Sequence, residues 1–274
     1  MSSSPTARTA RLIEQVAQAT VYDLGRPMSN GMAQSPNHPP FRHCLDRRHG
    51  DRVRADGGSA AADLITTGCH VGTHVDALAH VSHQGRLYGG VDAGEAQAGG
   101  RFEALGIDEL APFAGRGVLL DIPAVLGVEC CDGGHEITVA ELEEAAGRQG
   151  TPVRPGDAVL VRSGWGIHFD DVELYQGLGS GVPGVGETGA SWLADRGAVL
   201  VGADTLAFEC LPAGAGHALL PAHRVLLVER GINIIEAMDL EALAADRVHE
   251  FVFVLAHLNI LGATGAPARP LAIA

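Results

Sequence analysis

The chain has 274 residues, with 19 Lys+Arg against 33 Asp+Glu and a formal net charge of −14 at pH 7. That balance excludes a nucleic-acid binder, which needs clustered cations to release counterions. With 46% hydrophobic and 19% charged residues the composition is that of a globular protein with a large core. Apolar runs such as 251–255 are far shorter than the ~18–20 residues of a membrane span, and the first twenty residues lack the continuous apolar stretch of a secretory signal. No membrane association and a cytoplasmic location are the expectations.

Residues 9–17 have helical spacing and lead into a short strand at 21–24, ended by Gly25 and Pro27. A Pro-rich loop runs from Met28 to Phe41. Further on the pattern becomes regular: a strand at 117–122, a helix at 138–146 and a strand at 158–164, then a helix at 191–197 stopped by its glycine and a strand at 198–204. Helices alternate with continuous apolar runs, the habit of strands covered on both faces in α/β proteins. Polar residues end those runs at Asp121, Arg162-Ser163 and Asp204, where open α/β sheets usually present a ligand crevice. Pro221 can open a helix that runs to Gly231, and 232–236 then reads as a strand ending on Glu236. No repeat, charge block or low-complexity linker divides the chain, so a single domain over 1–274 is expected, with 1–20 as an N-terminal helical arm.

The five cysteines, Cys44, Cys69, Cys130, Cys131 and Cys210, are odd in number and contain no CxxC pair, which argues for buried thiols rather than disulfides or a thiolate zinc site. Thirteen histidines outnumber every aromatic residue type. Three of them and a carboxylate fall within eleven residues: His70, His74, Asp76 and His80. On a helix turning about 100° per residue, His70 and His74 stand about 40° apart, but Asp76 and His80 fall near 240° and 280°, so the four cannot converge. A straight strand puts all four on one side, yet at ~3.3 Å per residue it separates His70 from Asp76 by roughly 20 Å. A bent segment is required, and Gly72 suits the bend. Imidazole with carboxylate is a ligand set for zinc or manganese. The HExxH pattern of zincins is absent, because Val71 follows His70 and Gly72-Thr73 fill the middle. Gly184 to Gly189 satisfies GxGxxG, but Pro183 rather than a strand precedes it, and no GxSxG elbow occurs. Trp165 is equally a pocket-lining or a core residue.

The run HxGTHxDxxxH resembles the cyclase superfamily typified by bacterial kynurenine formamidase and isatin hydrolase, metal-dependent amide hydrolases. The likeness covers most of the chain: Tyr22-Asp23-Leu24-Gly25-Arg26-Pro27-Met28, the histidine motif, Arg154-Pro155-Gly156-Asp157, Gly202-Ala203-Asp204-Thr205 and Gly262-Ala263-Thr264-Gly265-Ala266-Pro267. It implies an α/β fold, a swivelling β/β/α domain with a mixed central sheet and flanking helices. It further implies one or two ions, Zn²⁺ or Mn²⁺, with no organic cofactor. His70, His74 and Asp76 would be ligands of the first ion, with Asp76 able to bridge to a second, and His80 would be the catalytic acid/base. A downstream His and Glu would complete the ligands; His223 and Glu236 fit, with His217 a rival to His223. Departures are Leu78 where the motif usually has Pro, Asn259 where many relatives have Lys, and no Trp between Asn30 and Phe41.

The expected activity is hydrolysis of an amide-type C–N bond (N-formyl, lactam or cyclic amide) or of a lactone in a small molecule. An ion with an open position lowers the pKa of water toward ~7, and an imidazole proton shuttle contributes roughly 10²–10⁴-fold. Two other readings stay open: a metal-dependent cyclase or dehydratase acting on a biosynthetic intermediate such as a polyketide, and a non-catalytic metal-binding homologue. A homodimer or higher homo-oligomer is implied by the resemblance, whose members pack N-terminal segments on a partner.

Overall fold

The computed structural model describes residues 5–274; the first four residues of the expected N-terminal arm lie outside that range. Thirteen strands are present among the described residues: β1 (Val21–Asp23), β2 (Arg42–Arg47), β3 (Ala62–Thr66), β4 (His74–Asp76), β5 (Phe113–Asp121), β6 (Glu136–Ile137), β7 (Ala158–Arg162), β8 (Gly184–Val185), β9 (Leu200–Ala203), β10 (Asn233–Glu236), β11 (Glu250–Leu255), β12 (Gly265–Pro267) and β13 (Leu271–Ile273). Nine of them form one mixed sheet in the order β1-β13-β11-β5-β7-β9-β10-β4-β12. Its centre, β5-β7-β9-β10, is parallel, and antiparallel strands flank it on both sides. β2 and β3 form a separate two-stranded sheet, as do β6 and β8, with Val185 of β8 also bridged to Glu209.

The principal helices are α1 (Pro5–Gln18), α2 (Val139–Gln149), α3 (Glu187–Asp195) and α4 (Pro221–His223). Helix α2 begins where Thr138 caps the backbone N–H of Glu141 while the Glu141 carboxylate returns to the Thr138 N–H, a reciprocal pair that satisfies two of the donors every helix start leaves open. Side chains alternate across the central strands: Val118 and Leu120 pack on one face with Leu142, Ala190, Leu193 and Leu226, whereas Leu119 and Leu160 pack on the other with Phe253, Met238 and Leu243. The sheet is therefore buried on both faces, as the continuous apolar runs required. A third cluster joins the 28–41 loop, through Met32 and Phe41, to Trp165, Phe169 and Tyr175.

Three sequence expectations need correcting and one open alternative is resolved. Asp121, Arg162 and Asp204 spend their charges inside the scaffold: Arg162 bonds Asp121 at 2.9 Å and Glu241 at 2.7 Å, and Asp204 accepts from the Ser163 and Gly164 backbone N–H groups at 2.9 and 2.8 Å. Cys44 is exposed, because every residue of β2 but its last is exposed. Trp165 resolves as core, 3% exposed with its indole N–H on the Tyr175 carbonyl at 3.0 Å. The helix opened by Pro221 is α-helical only to His223 and winds as a π-helix over Arg224–Arg230 before Gly231, a rare winding that often marks functional sites.

Candidate metal centre

Strand β4 has only three residues, and its pleat sorts them. His74 and Asp76 point to one face while Val75 joins the apolar cluster on the other. In the antiparallel register with β10, Glu236 lies opposite His74 and Ile234 opposite Asp76, so the Glu236 carboxylate comes up on the same face as the two β4 side chains. His70 reaches that face because the chain turns at Gly72, whose φ of +68° costs little without a Cβ. Gly265, opposite Asp76 on β12, completes the space: a Cβ there would meet His70 Cε1 at 2.6 Å. His223 arrives from the last position of α4.

These five residues converge. His70, His74 and Asp76 have ligand atoms mutually within 4.8 Å, and so do Asp76, His223 and Glu236, with Asp76 common to both groups and every member buried. His70 Nδ1 lies 2.6 Å from Asp76 Oδ1, and His74 Nε2 lies 3.4 Å from both Asp76 Oδ1 and Glu236 Oε2. His223 Nε2 is 3.1 Å from Glu236 Oε1 and 3.8 Å from Asp76 Oδ2. His80 stacks on His70, ring centroids 3.8 Å apart at 25°. His217 stays outside the cluster, its Nδ1 3.2 Å from the Asn37 amide nitrogen.

Two atoms test whether a cation fits. His74 Nε2 and Asp76 Oδ2 are buried and lack any hydrogen-bond partner, and buried polar atoms without partners are expensive. Both face the middle of a set of imidazole nitrogens and carboxylate oxygens, the donors zinc and manganese take. The residues present fit such an ion.

Supporting groups aim the imidazoles. The His74 Nδ1–H donates to the Gly72 carbonyl at 2.8 Å, which turns Nε2 inward. Glu209, 1% exposed, accepts from the backbone N–H groups of Ala222 at 2.7 Å and His223 at 3.3 Å and bonds His223 Nδ1 at 2.9 Å. It therefore satisfies the open start of α4 and orients the ring in one step. Asn233 donates to the Asp76 carbonyl at 2.7 Å, and Thr264 Oγ1 lies 2.9 Å from His70 Nε2. Neither Glu209 nor Thr264 was legible as a partner of the site; the only sequence signal for Glu209 is an acid shortly before the helix-opening Pro221.

Charge balances locally. Burial pulls His74 and His223 down, but their carboxylate partners more than offset it and raise each to about 10. Burial and the neighbouring Asp76 push Glu236 up, yet the bond from His223 and the nearby His74 imidazole hold it below its ordinary value; Asp76 is likewise held low, against burial, by His80 and His70. His80 has no such bond to a carboxylate, and burial takes it down to about 4. Without an ion, then, the protons on His74 and His223 supply the positive charge that the two carboxylates require.

Residues 22–210 match the model of a family described as "Putative cyclase". Among solved structures, a novel cyclase is 28% identical with a TM-score of 0.84, covering 98% of this chain and 93% of its own. Isatin hydrolase A from Ralstonia solanacearum is 21% identical with a TM-score of 0.74, covering 100% and 98%. A potential metal-dependent hydrolase with cyclase activity is 22% identical with a TM-score of 0.60, covering 93% and 99%. The last two share the fold. No curated protein matches the sequence significantly.

Proposed function

The chain belongs to the cyclase family, and we propose that it is a metal-dependent hydrolase that cleaves an amide-type C–N bond or a lactone in a small molecule. The observation that carries this reading is the pair of donor groups sharing Asp76, with Asp76 Oδ2 and His74 Nε2 left without partners at its centre. His70, His74, Asp76, His223 and Glu236 would hold one or two ions, Zn²⁺ or Mn²⁺. When bound, such an ion supplies Lewis acidity that polarises a carbonyl and acidifies water.

The remaining work falls to the chain's own side chains. His80, drawn down to about 4 by burial, is neutral at pH 7 and has a ring nitrogen free to take a proton from the attacking water and return it to the leaving nitrogen or oxygen. Its stacking on His70 fixes the ring plane beside the donor cluster. Glu209 and Gly72 hold the ligand imidazoles in one tautomer, so the reacting groups need no reorganisation.

A homodimer or larger assembly accompanies this reading. Leu12, Ile13 and Val16 of α1 and Leu45, Leu64 and Ile65 of the β2–β3 hairpin are all at least 45% exposed, and an isolated two-stranded sheet is marginal without a covering surface. No helix among the described residues is long and apolar enough to cross a membrane. Five unpaired cysteines suit the reducing cytoplasm.

The test is metal analysis of the purified protein with a panel of N-formyl arylamines, isatin-like lactams and lactones, followed by product identification. Ring opening or acid release supports hydrolysis. A product of unchanged composition, or one short of a water, would support cyclisation or dehydration instead, and less than about 0.2 ion per chain after expression with added Zn²⁺ and Mn²⁺ would remove the basis of both.

A further inference from the structure

One imidazole beside the donor cluster holds and caps nothing. His38, in the 28–41 loop, is partly buried with its ring 5.0 Å from that of His70 and 6.2 Å from that of His80. Its backbone is anchored, the N–H on the Ser35 carbonyl at 3.2 Å and the carbonyl accepting from the Gln34 amide at 3.2 Å, but neither ring nitrogen has a hydrogen-bond partner among the described residues. A neutral imidazole carries one donor and one acceptor, and here both are unspent next to the groups that would do the chemistry.

The adjoining residue extends this edge of the site. Asn37 bonds His217 at 3.2 Å, tying the 28–41 loop to the segment before α4. Against that bond lies a cavity of about 370 Å³ lined by Pro36, Asn37, Leu206, Leu211, His217 and Ala218 among others, with no Asp, Glu, Lys or Arg in its wall. Its size falls in the roughly 300–1,000 Å³ range of small-molecule sites. Asn37 in its wall directly precedes His38, whose ring lies 5.0 Å from that of His70, so the cavity opens beside the donor cluster. The absence of charge is selective in a chain with 52 formally charged side chains (19 Lys+Arg and 33 Asp+Glu). An ammonium or carboxylate placed there would lose hydration with no counter-charge to replace it, whereas an apolar ring would gain from burial.

We infer that this cavity receives the non-reacting part of the substrate, that it selects an uncharged group of ring size, and that His38 supplies the hydrogen bond orienting that substrate toward the donor cluster. The inference rests on the hydrolase reading for which bond is then cut, but not for what binds. Recognition precedes chemistry and can be measured without it.

The experiment uses the metal-loaded full chain and titration calorimetry with three probes: benzamide, 4-carboxybenzamide and 4-(aminomethyl)benzamide. Benzamide should bind at least about tenfold more tightly than either charged analogue, the penalty for an unpaired charge in the cavity. His38→Phe should weaken benzamide by about three- to tenfold, the worth of one hydrogen bond, while His38→Gln, which keeps a donor and an acceptor, should recover most of the loss. Metal content should be unchanged in both. With a hydrolysable aryl formamide the same His38→Phe change should appear mainly in KM, with kcat largely retained. Ala218→Arg, at an exposed position of the cavity wall, should shift preference toward 4-carboxybenzamide. Equal or tighter binding of both charged probes, unaltered benzamide affinity in His38→Phe, or no binding of benzamide at all would overturn the inference. The expected binding pattern without turnover of any panel amide would leave the recognition surface standing and remove the hydrolase reading.

Discussion

Replacing Glu209 by Gln isolates the one buried carboxylate that touches an expected ligand without joining the donor cluster. Glu209 bonds His223 Nδ1 at 2.9 Å and accepts from the Ala222 N–H at 2.7 Å. Gln preserves volume and one acceptor oxygen, but its NH₂ must face either the Ala222 N–H or the His223 ring, donor against donor. A charge-assisted bond contributes about 1.5–3 kcal/mol and a neutral one about 0.5–1.5, so the weakened hold on His223 costs about 1–1.5 kcal/mol before any ring rotation. Loss of an orienting partner behind a metal-bound histidine typically reduces affinity about 10–100-fold, equivalent to about 1.4–2.8 kcal/mol, and the two figures overlap. Competition against a chelator of known affinity at pH 7.5 should therefore show a loss of about 10–100-fold for Glu209→Gln. Asp195→Asn, which breaks only the exposed pair with Arg230, should leave affinity unchanged. Glu209→Ala is the poorer variant, since it strands two backbone N–H groups at the start of α4 at about 1–3 kcal/mol each. A folded Glu209→Gln protein with metal affinity within about threefold of wild type would refute the view that this carboxylate aims the ligand.

Histidine variants should separate binding from proton transfer: His74→Ala loses metal, whereas His80→Ala keeps metal and melting temperature and loses about 10²–10⁴-fold in turnover; a metal-free His80→Ala would make His80 a ligand. Metal at a hundredfold its Kd stabilises a binding-competent fold by about 2.7 kcal/mol, which for a chain of this size raises the melting temperature by about 5–10 °C, and a chelator scan showing no shift would contradict the ligand assignment. Because His74 and His223 are raised to about 10 in the metal-free protein, their stabilisation is complete below the unfolded histidine value of about 6.5 and is lost as pH climbs toward 10. The metal-free melting temperature should accordingly fall across that window. Metal must displace the same protons, so its apparent affinity should rise with pH between 6 and 9, by up to about two powers of ten per pH unit; a flat profile would mean the imidazoles are already neutral. Light scattering at micromolar concentration should give at least a dimer mass, and Ile65→Glu on the exposed hairpin should lower it.

What could be read from sequence was what local spacing determines. The joint spacing of His70, His74, Asp76 and His80 lets neither a regular helix nor a straight strand bring all four together, and the bend found at Gly72 follows from that alone. Strands β5, β7 and β9 were visible because burial on both faces demands continuous apolar runs. The polar residues at their ends misled, because a charge at a strand end can be consumed by a neighbour, as Arg162 is by Asp121 and Glu241, and no local pattern distinguishes that from a charge left for a ligand. Glu209 and Thr264 were invisible for a related reason: each reaches its imidazole through register and helix placement rather than through spacing in the chain.

The same limit explains how the cluster is assembled. His70, His74 and Asp76 are close in sequence, yet the second donor group needs Glu236 from across an antiparallel strand pair and His223 from a helix end, 160 and 147 positions beyond Asp76. Bringing two carboxylates together in a buried space opposes folding unless cations arrive with them, because each raises the cost of ionising the other. In the metal-free chain the protons on His74 and His223 meet that need, and an ion would take their place. Under the metal-centre reading one scaffold would serve a proton-filled and a metal-filled form, with His80 outside the exchange because no carboxylate bonds it. On the proposed assignment, a group that stays neutral while His74 and His223 give up protons to a metal would remain free to accept a proton from the reaction, which favours position 80 for the acid–base role.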